Sequence, residues 1–503
     1  GILHVITGAG KTVTALEGSR RLERRLRREE AETELRLRIV VPTIAIARQW
    51  VRAVEKAYEE ENRTEHRRIG LWYGEEKAGT DCFCLIYVVN SARHALPAQI
   101  IREMDQGHAV MLIADECHHY GSAENRKIFD FRNSAGFRED LYYAMGLSAT
   151  PQCEHFEDEL VPALGPEIYW YSLRQAIHEG TVSSFSVFQV DVSFTGKEAD
   201  RYGKLTQRLI KCYRLLIRAY PQLKEGPFFP QVRALAEELA DPESLPQQYL
   251  DLIMARRELC LRAKNRIKCA VALTEKRAPN ERVILFCERI DQAEAVRAVL
   301  RERMPSQTGM YHSEMLPEKR REVLRDFRDG IIHILIACKA LDEGVDVPEA
   351  RMGIVLSSTL TDRQRIQRLG RILRRTEGKR SAALYYLHVG EEADEREYLP
   401  EENDGQPTAD LIYNAQANCF DSPEYTALAR NALRKAQEKG MDSRAIRELR
   451  KQMDDGISEP EWLMRPSELD EMLETTKDQK ERNRLIAMKL IAQTREGCFQ
   501  ENK

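Results

Sequence analysis

The sequence predicts an α/β protein with two tandem doubly wound parallel sheets, a helical insertion and a helical C-terminal region. Apolar runs at 37–41, 84–89, 110–114 and 143–147 alternate with helical or loop segments, the pattern of a mostly parallel sheet covered by helices on both faces. A second set at 283–287, 332–338, 353–356 and 382–387 repeats it. A chain of 503 residues is too long for one core. The expected division is a first α/β domain over 1–180, a second over 181–390 carrying the insertion at about 196–276, and a helical accessory region over 391–503.

The chain opens on Ile2, Leu3, Val5 and Ile6, which read as a short buried strand. Thr7-Gly8-Ala9-Gly10-Lys11-Thr12 follows, with a helix starting at Lys11-Thr12. Gly8 and Gly10 let the backbone curl so that N–H groups face a phosphate, and the helix N-terminus adds partial positive charge. Lys11 would reach the β- and γ-phosphates, and the Thr12 hydroxyl would hold Mg²⁺. Val5 stands where the strict phosphate-loop pattern has Gly, so only its second half is met. The competing reading is a tight turn before an ordinary helix.

Asp115-Glu116-Cys117-His118 ends the apolar run 108–114. A carboxylate closing a strand buried on both faces can hold the Mg²⁺ shell beside such a loop. Glu116 is then placed to polarise the water that attacks the γ-phosphate. Asp-Glu alone reads as an acidic loop. His118, and Ser148-Ala149-Thr150 after a further apolar strand, argue against that reading. Far downstream, the stretch from Gln367 to Arg375 places Arg371 and Arg374 on a candidate helix. Arginines supplied to a breaking β–γ bond are worth roughly 10³–10⁵ in rate in GTPases. Without the other motifs, this helix would read as a solvated basic face.

With these motifs in this order, the chain resembles a superfamily 2 helicase or translocase over residues 1 to about 390. Motif I is Thr7–Thr12. Motif Ia is Val41-Pro42-Thr43 with Gln49-Trp50, and Val89-Asn90-Ser91 resembles the next nucleic-acid-contacting motif. Motif II is the DECH box Asp115–His118, and motif III is Ser148-Ala149-Thr150. Val283–Cys287 resembles motif IV, 340–348 motif V with Gly344 and Asp346, and 367–374 motif VI. The wording of motif Ia and of the stretch 165–180 is similar to the branch of type III restriction motors and XPB-type repair helicases.

The resemblance implies two RecA-like domains with ATP and Mg²⁺ between them. Thr7, Gly8, Ala9, Gly10, Lys11 and Thr12 would bind phosphates, Thr12 and Asp115 the metal, and Glu116 the attacking water. Gln367, Arg371 and Arg374 would complete the site, and Gly344 with Asp346 would couple it to the nucleic-acid path. Ser148 and Thr150 would link hydrolysis to movement, with His118 bridging motifs II and III. Pro42, Thr43, Asn90, Ser91 and His312 would touch the nucleic acid. Most of the branch acts on double-stranded DNA, so DNA is favoured over RNA. The DECH spelling also occurs in RNA-directed helicases, which keeps RNA open. An ATP-gated sensor or clamp, or the motor subunit of a restriction or defence complex, would carry the same motifs.

Composition adds limits. Charged residues make up 31% of the chain, yet the formal net charge is −4, so nucleic-acid binding would need local basic grooves. The eleven cysteines form no Cys-x-x-Cys pair, which argues against zinc ribbons and a four-cysteine iron–sulfur cluster. Free thiols suit a reducing cytosol, and no apolar run reaches the eighteen or so residues of a membrane span. A cytoplasmic location is expected. The chain begins without Met, inside the strand feeding the phosphate loop, so upstream sequence is expected to be missing.

Three further expectations concern the second half. Residues 185–194 alternate as a half-exposed strand, and 196–276 reads as helices broken at Phe228-Phe229-Pro230 and at Pro242-Glu243-Ser244. His312 is expected in a loop before a helix at 317–329, where the alternatives are donation to a phosphate and a merely solvated imidazole. Beyond Gly390, amphipathic helices from about Pro423 suggest a region that could dock a protein partner.

Overall fold

The computed structural model describes residues 1–29, 33–59, 68–181, 185–277, 281–305, 307–338, 350–357, 382–389, 408–441, 443–454 and 460–497. They fall into two compact units, one up to residue 181 and the other from residue 185 onward.

The first unit is an eight-stranded sheet. Its strands are β1 (Ile2–Val5), β2 (Leu35–Val41), β3 (Ile69–Tyr73), β4 (Glu76–Lys77), β5 (Cys84–Val88), β6 (Ala109–Asp115), β7 (Tyr142–Ser148) and β8 (Glu167–Tyr171). They lie in the order β4-β3-β5-β2-β6-β7-β1-β8, with neighbours parallel except β3 with β4. β5 and β6 are buried along their whole length, which is why they read as unbroken apolar runs. Helices α1 (Lys11–Glu29), α2 (Ile44–Glu59) and α3 (Val89–Asp105) begin at or just past the carboxyl ends of β1, β2 and β5. Ligands of parallel sheets bind at that edge.

One charge is built into this core. Arg38 on β2 is fully buried; its Nε lies 3.0 Å from both carboxylate oxygens of Glu103 on α3. The rest of its guanidinium donates to the carbonyls of Leu37, Cys82 and Phe83. A buried ion pair is tolerable only when its hydrogen bonds are this complete.

The second unit is also an eight-stranded sheet. Its strands are β9 (Phe185–Val192), β10 (Val283–Cys287), β11 (Thr308–His312), β12 (Ile334–Cys338), β13 (Met352–Val355), β14 (Ala382–His388), β15 (Thr408–Asn414) and β16 (Cys419–Asp421). The order is β11-β12-β10-β13-β14-β9-β15-β16, parallel apart from the β15–β16 pair. Together the two sheets have the tandem RecA-like fold that the sequence predicts.

Four local expectations need correction. β9 is not half-exposed: it lies between β14 and β15 and is buried except at Asp191. Its polar Gln189 is accommodated by a hydrogen bond with His388 on β14. Phe228-Phe229-Pro230 does not interrupt a helix but opens one, Phe228–Leu239, because Pro fits the first turn. His312 is the last residue of β11 and is buried, not a loop residue. The C-terminal region does contain helices, Pro423–Glu438, Ser443–Asp454, Pro466–Thr475 and Gln479–Arg495, but two sheet strands precede them. Tyr425, Ala429, Leu449, Trp462, Leu473, Met488 and Ile491 share one apolar core with the strands of the second sheet. The region is part of that unit's core. No helix among the described residues is long and apolar enough to cross a membrane.

The insertion consists of helices Gly196–Ala219, Phe228–Leu239, Leu245–Leu261 and Lys264–Arg277. The first three enclose a small core around Leu216, Leu223 and Val232. Ser244 caps the third by accepting the Gln247 N–H, so Pro242-Glu243-Ser244 is a break as expected.

Candidate active site

The residues between β1 and α1 form a turn in which Gly8 and Gly10 both have φ of 90°. Side chains rarely tolerate that region, and a Cβ on Gly10 would meet nothing within 4 Å. Space for a ligand therefore lies directly over the turn. The Thr14 N–H donates to the Gly10 carbonyl at 3.0 Å, so the helix is wound from its first turn.

Lys11 meets the end of β6 here. Its Nζ is 2.8 Å from Glu116 Oε1, with both side chains largely buried. Burial works against the lysine's charge, but Glu116 and Asp115 outweigh it and hold its pKa above the ordinary value. Glu116 is pulled below the usual carboxylate range: burial opposes this, and Lys11 and His118 overcome it. Burial and the Glu116 charge push Asp115 the other way, to about 6. Glu116 has a left-handed backbone, φ 50° and ψ 51°, a conformation costing a non-glycine residue roughly 1–2 kcal/mol. Such strain clusters at functional sites.

Asp115 is held from two sides. The Trp50 indole N–H donates to its Oδ2 at 2.8 Å. The Tyr120 hydroxyl donates to its carbonyl at 2.7 Å and is 3.0 Å from the Val40 carbonyl on β2. Both aromatic residues are buried. Trp50 was legible only as part of a motif, and nothing in the sequence around Tyr120 signals its role.

His118 Nδ1 lies 2.9 Å from Ser148 Oγ and 3.6 Å from Glu116 Oε2. Ser148 Oγ also accepts the Thr150 N–H at 3.0 Å. The ends of β6 and β7 are thus joined through one imidazole and one hydroxyl. Two buried oxygens here, Thr7 Oγ1 and Glu116 Oε2, have no hydrogen-bond partner among the described residues.

These observations fit a nucleotide and a divalent cation. There is open room over Gly10, a charged lysine, an orphaned hydroxyl, and a pair of carboxylates whose crowding a cation would relieve. No group of three or more metal-binding side chains exists among the described residues. Mg²⁺ needs only one or two carboxylates when phosphates supply the rest.

The expected nucleic-acid contacts sit at the same edge but are used internally. Thr43 Oγ1 accepts the Ile46 N–H at 3.4 Å as the cap of α2, next to the half-buried Pro42. Asn90 Oδ1 accepts from Arg93 at 2.9 Å, and Ser91 Oγ accepts the Gly74 N–H at 3.3 Å. His312, in the second unit, has a buried Nδ1 with no hydrogen-bond partner among the described residues. Gly344, Asp346, Gln367, Arg371 and Arg374 lie outside the described residues.

Comparison with known proteins agrees with the site. Residues 1–153 match the model of the type III restriction enzyme res subunit, and 264–376 match the helicase conserved C-terminal domain. The helices at 196–261 fall between the two. A DNA 3'-5' translocase, XPB2, from Sulfurisphaera tokodaii is 29% identical over 378 residues, 75% of each chain. UvrABC system protein B of Mycoplasma mycoides is 30% identical over 125 residues, 24% of this chain and 18% of that protein. The Pyrococcus furiosus Hef helicase domain shares the fold, with a TM-score of 0.51 over 79% of this chain and 94% of that one at 15% identity. Together with the two family models and the translocase relative, the fold and the site define a nucleic-acid-dependent ATPase with a RecA-like core. The chain belongs to the superfamily 2 helicases and translocases, in the type III restriction and XPB branch.

Proposed function

We propose that the protein is a translocase that moves along double-stranded DNA at the expense of ATP. The observation that supports its chemistry best is the Lys11–Glu116 ion pair of 2.8 Å. Lys11 would exchange Glu116 for the β- and γ-phosphates, and Glu116, so released, would orient the attacking water. Gly8, Ala9 and Gly10 would present backbone N–H groups, and the Thr7 hydroxyl would gain the partner it lacks. Mg²⁺, held by Thr12 and Asp115, would neutralise charge between the phosphates. His118 and Ser148 would carry the change at β6 to β7 and Thr150. Pro42, Thr43, Asn90 and Ser91 would hold the track by its backbone, giving weak sequence preference.

DNA is favoured because the similarity to an archaeal DNA translocase spans three quarters of both chains. The test is ATP turnover with single- and double-stranded DNA and RNA, paired with displacement of a third strand from a DNA triplex. Stimulation by duplex DNA with ATP-dependent triplex displacement is expected. Stimulation without displacement would leave a gated clamp, and stimulation by RNA alone would overturn the DNA assignment.

A further inference from the structure

Tyr120 is fully buried, and its hydroxyl reaches the ends of both β2 and β6. The oxygen lies 2.7 Å from the Asp115 carbonyl and 3.0 Å from the Val40 carbonyl. A phenol carries one proton, so it satisfies one of the two carbonyls well, or both poorly. The strands run side by side here, with Val40 in register with Ala114. A small displacement of one strand end against the other therefore decides which carbonyl receives the proton.

The Asp115 carbonyl is not an idle acceptor. It shares a planar peptide with the Glu116 N–H, which itself donates to Asp115 Oδ1 at 3.1 Å. The orientation of that peptide sets the φ of Glu116, held at 50° in the left-handed region. The strain of this conformation and the net worth of one hydrogen bond are of similar size, so a hydroxyl that leaves the carbonyl is enough to let Glu116 turn. On the other side, Val40 stands just before Val41, Pro42 and Thr43, and α2 begins at Ile44. Trp50, on that helix, donates to Asp115 Oδ2 at 2.8 Å. The segment from Val40 to Trp50 thus grips the end of β6 twice, at the carbonyl through Tyr120 and at the carboxylate through Trp50.

We propose that the Tyr120 hydroxyl is a positioning group that makes Glu116 answer to the end of β2. Nucleic acid held at Pro42 and Thr43 draws that strand end, turns the hydroxyl towards the Val40 carbonyl and frees the Glu116 peptide. The Glu116 carboxylate can then leave Lys11 and aim at the attacking water. The inference rests on the proposed track contact at Pro42 and Thr43. Tyr120 is too deeply buried to meet nucleic acid itself, so its effect is on turnover and not on affinity.

The test uses the full chain with Tyr120→Phe, which keeps the ring and removes the proton. ATP turnover is measured without nucleic acid and with saturating single- and double-stranded DNA and RNA, beside nucleic-acid affinity by fluorescence anisotropy. The polymer that stimulates the wild type most is the reference. The ratio of stimulated to unstimulated kcat should fall roughly 3- to 10-fold, the effect of losing one neutral hydrogen bond, with nucleic-acid affinity unchanged. A tyrosine that only packs would lower both turnovers together and leave the ratio as in the wild type; that result, or full stimulation, overturns the proposal. Hydrogen exchange over residues 113–121 of the wild type, with and without the same nucleic acid and no nucleotide, reads the link without any substitution. Altered protection is expected there, and unaltered protection overturns the proposal even if the variant does not fold. Thr43→Val tests the premise separately: unchanged nucleic-acid affinity in that variant removes the track contact at Thr43, while the Tyr120→Phe ratio still decides the hydroxyl.

Discussion

The indole N–H of Trp50 on α2 donates to Asp115 Oδ2 at 2.8 Å, so a residue far from the phosphate turn fixes the carboxylate proposed to hold the metal. Trp50→Phe keeps a ring in the buried site and removes only the donor. Hydrogen bonds to charged groups are worth about 1.5–3 kcal/mol, so kcat/KM for ATP should fall by roughly 10- to 100-fold, with the Mg²⁺ requirement shifted upward. A Mg²⁺ titration of the variant reads this directly. An unchanged midpoint would mean the indole only packs.

Lys11→Ala and Glu116→Gln should both abolish nucleic-acid-stimulated turnover, for different reasons. The first should also lose nucleotide binding. The second should retain it, because Gln keeps a group near Lys11 while losing the carboxylate. Equilibrium binding of a fluorescent nucleotide separates the two. Turnover retained in Glu116→Gln would remove that residue from the role of base.

Asp115 makes a pH prediction. Burial and the neighbouring Glu116 raise its pKa from 3.8 to about 6. A carboxyl raised in the folded state costs stability as pH rises through that window, and the cost persists above it. Asp115→Asn should therefore melt higher than wild type without nucleotide or metal, by roughly 2–6 °C. The gain should be full above about pH 6 and vanish towards pH 4. Thermal melts of both proteins across that range test it, and a gain over wild type no larger at pH 7.5 than at pH 4 would contradict it.

Ser148 joins His118 to Thr150, and Ser148→Ala cuts that path without touching the phosphate turn. ATP turnover should drop less than tenfold while triplex displacement drops far more. Parallel losses in the two assays would place Ser148 in the chemistry instead of the coupling.

Arg374→Ala should bind nucleotide as wild type does but fail to hydrolyse it, by the resemblance of 367–374 to motif VI. Nucleotide affinity measured beside single-turnover hydrolysis checks this. Loss of binding would make the arginine structural.

What the sequence could reveal depended on how each residue is buried. β5 and β6 are covered on both faces and read as apolar runs, and the motifs at their ends are local, so Lys11, Asp115 and Glu116 were legible. β8 was not legible as a sheet strand: Ile168, Tyr169 and Trp170 stay exposed although the strand pairs along β1. β9 was misjudged because Gln189 looks like a solvent-facing residue until its hydrogen bond with His388, about two hundred residues away, is known. β15 alternates cleanly in burial, yet it follows an acidic stretch that read as loop. Trp50 and Tyr120 act through contacts that only the folded sheet creates.

The pairing of β15 with β9 has a practical corollary for anyone trimming the polypeptide to a minimal motor. Cutting before Thr408 would strip β9 of one neighbour and expose a bare, apolar edge, a template for intermolecular strand pairing. It would also remove the Trp462, Met488 and Ile491 side chains that seal the same core. Such a fragment would be expected in inclusion bodies, however intact its sequence motifs.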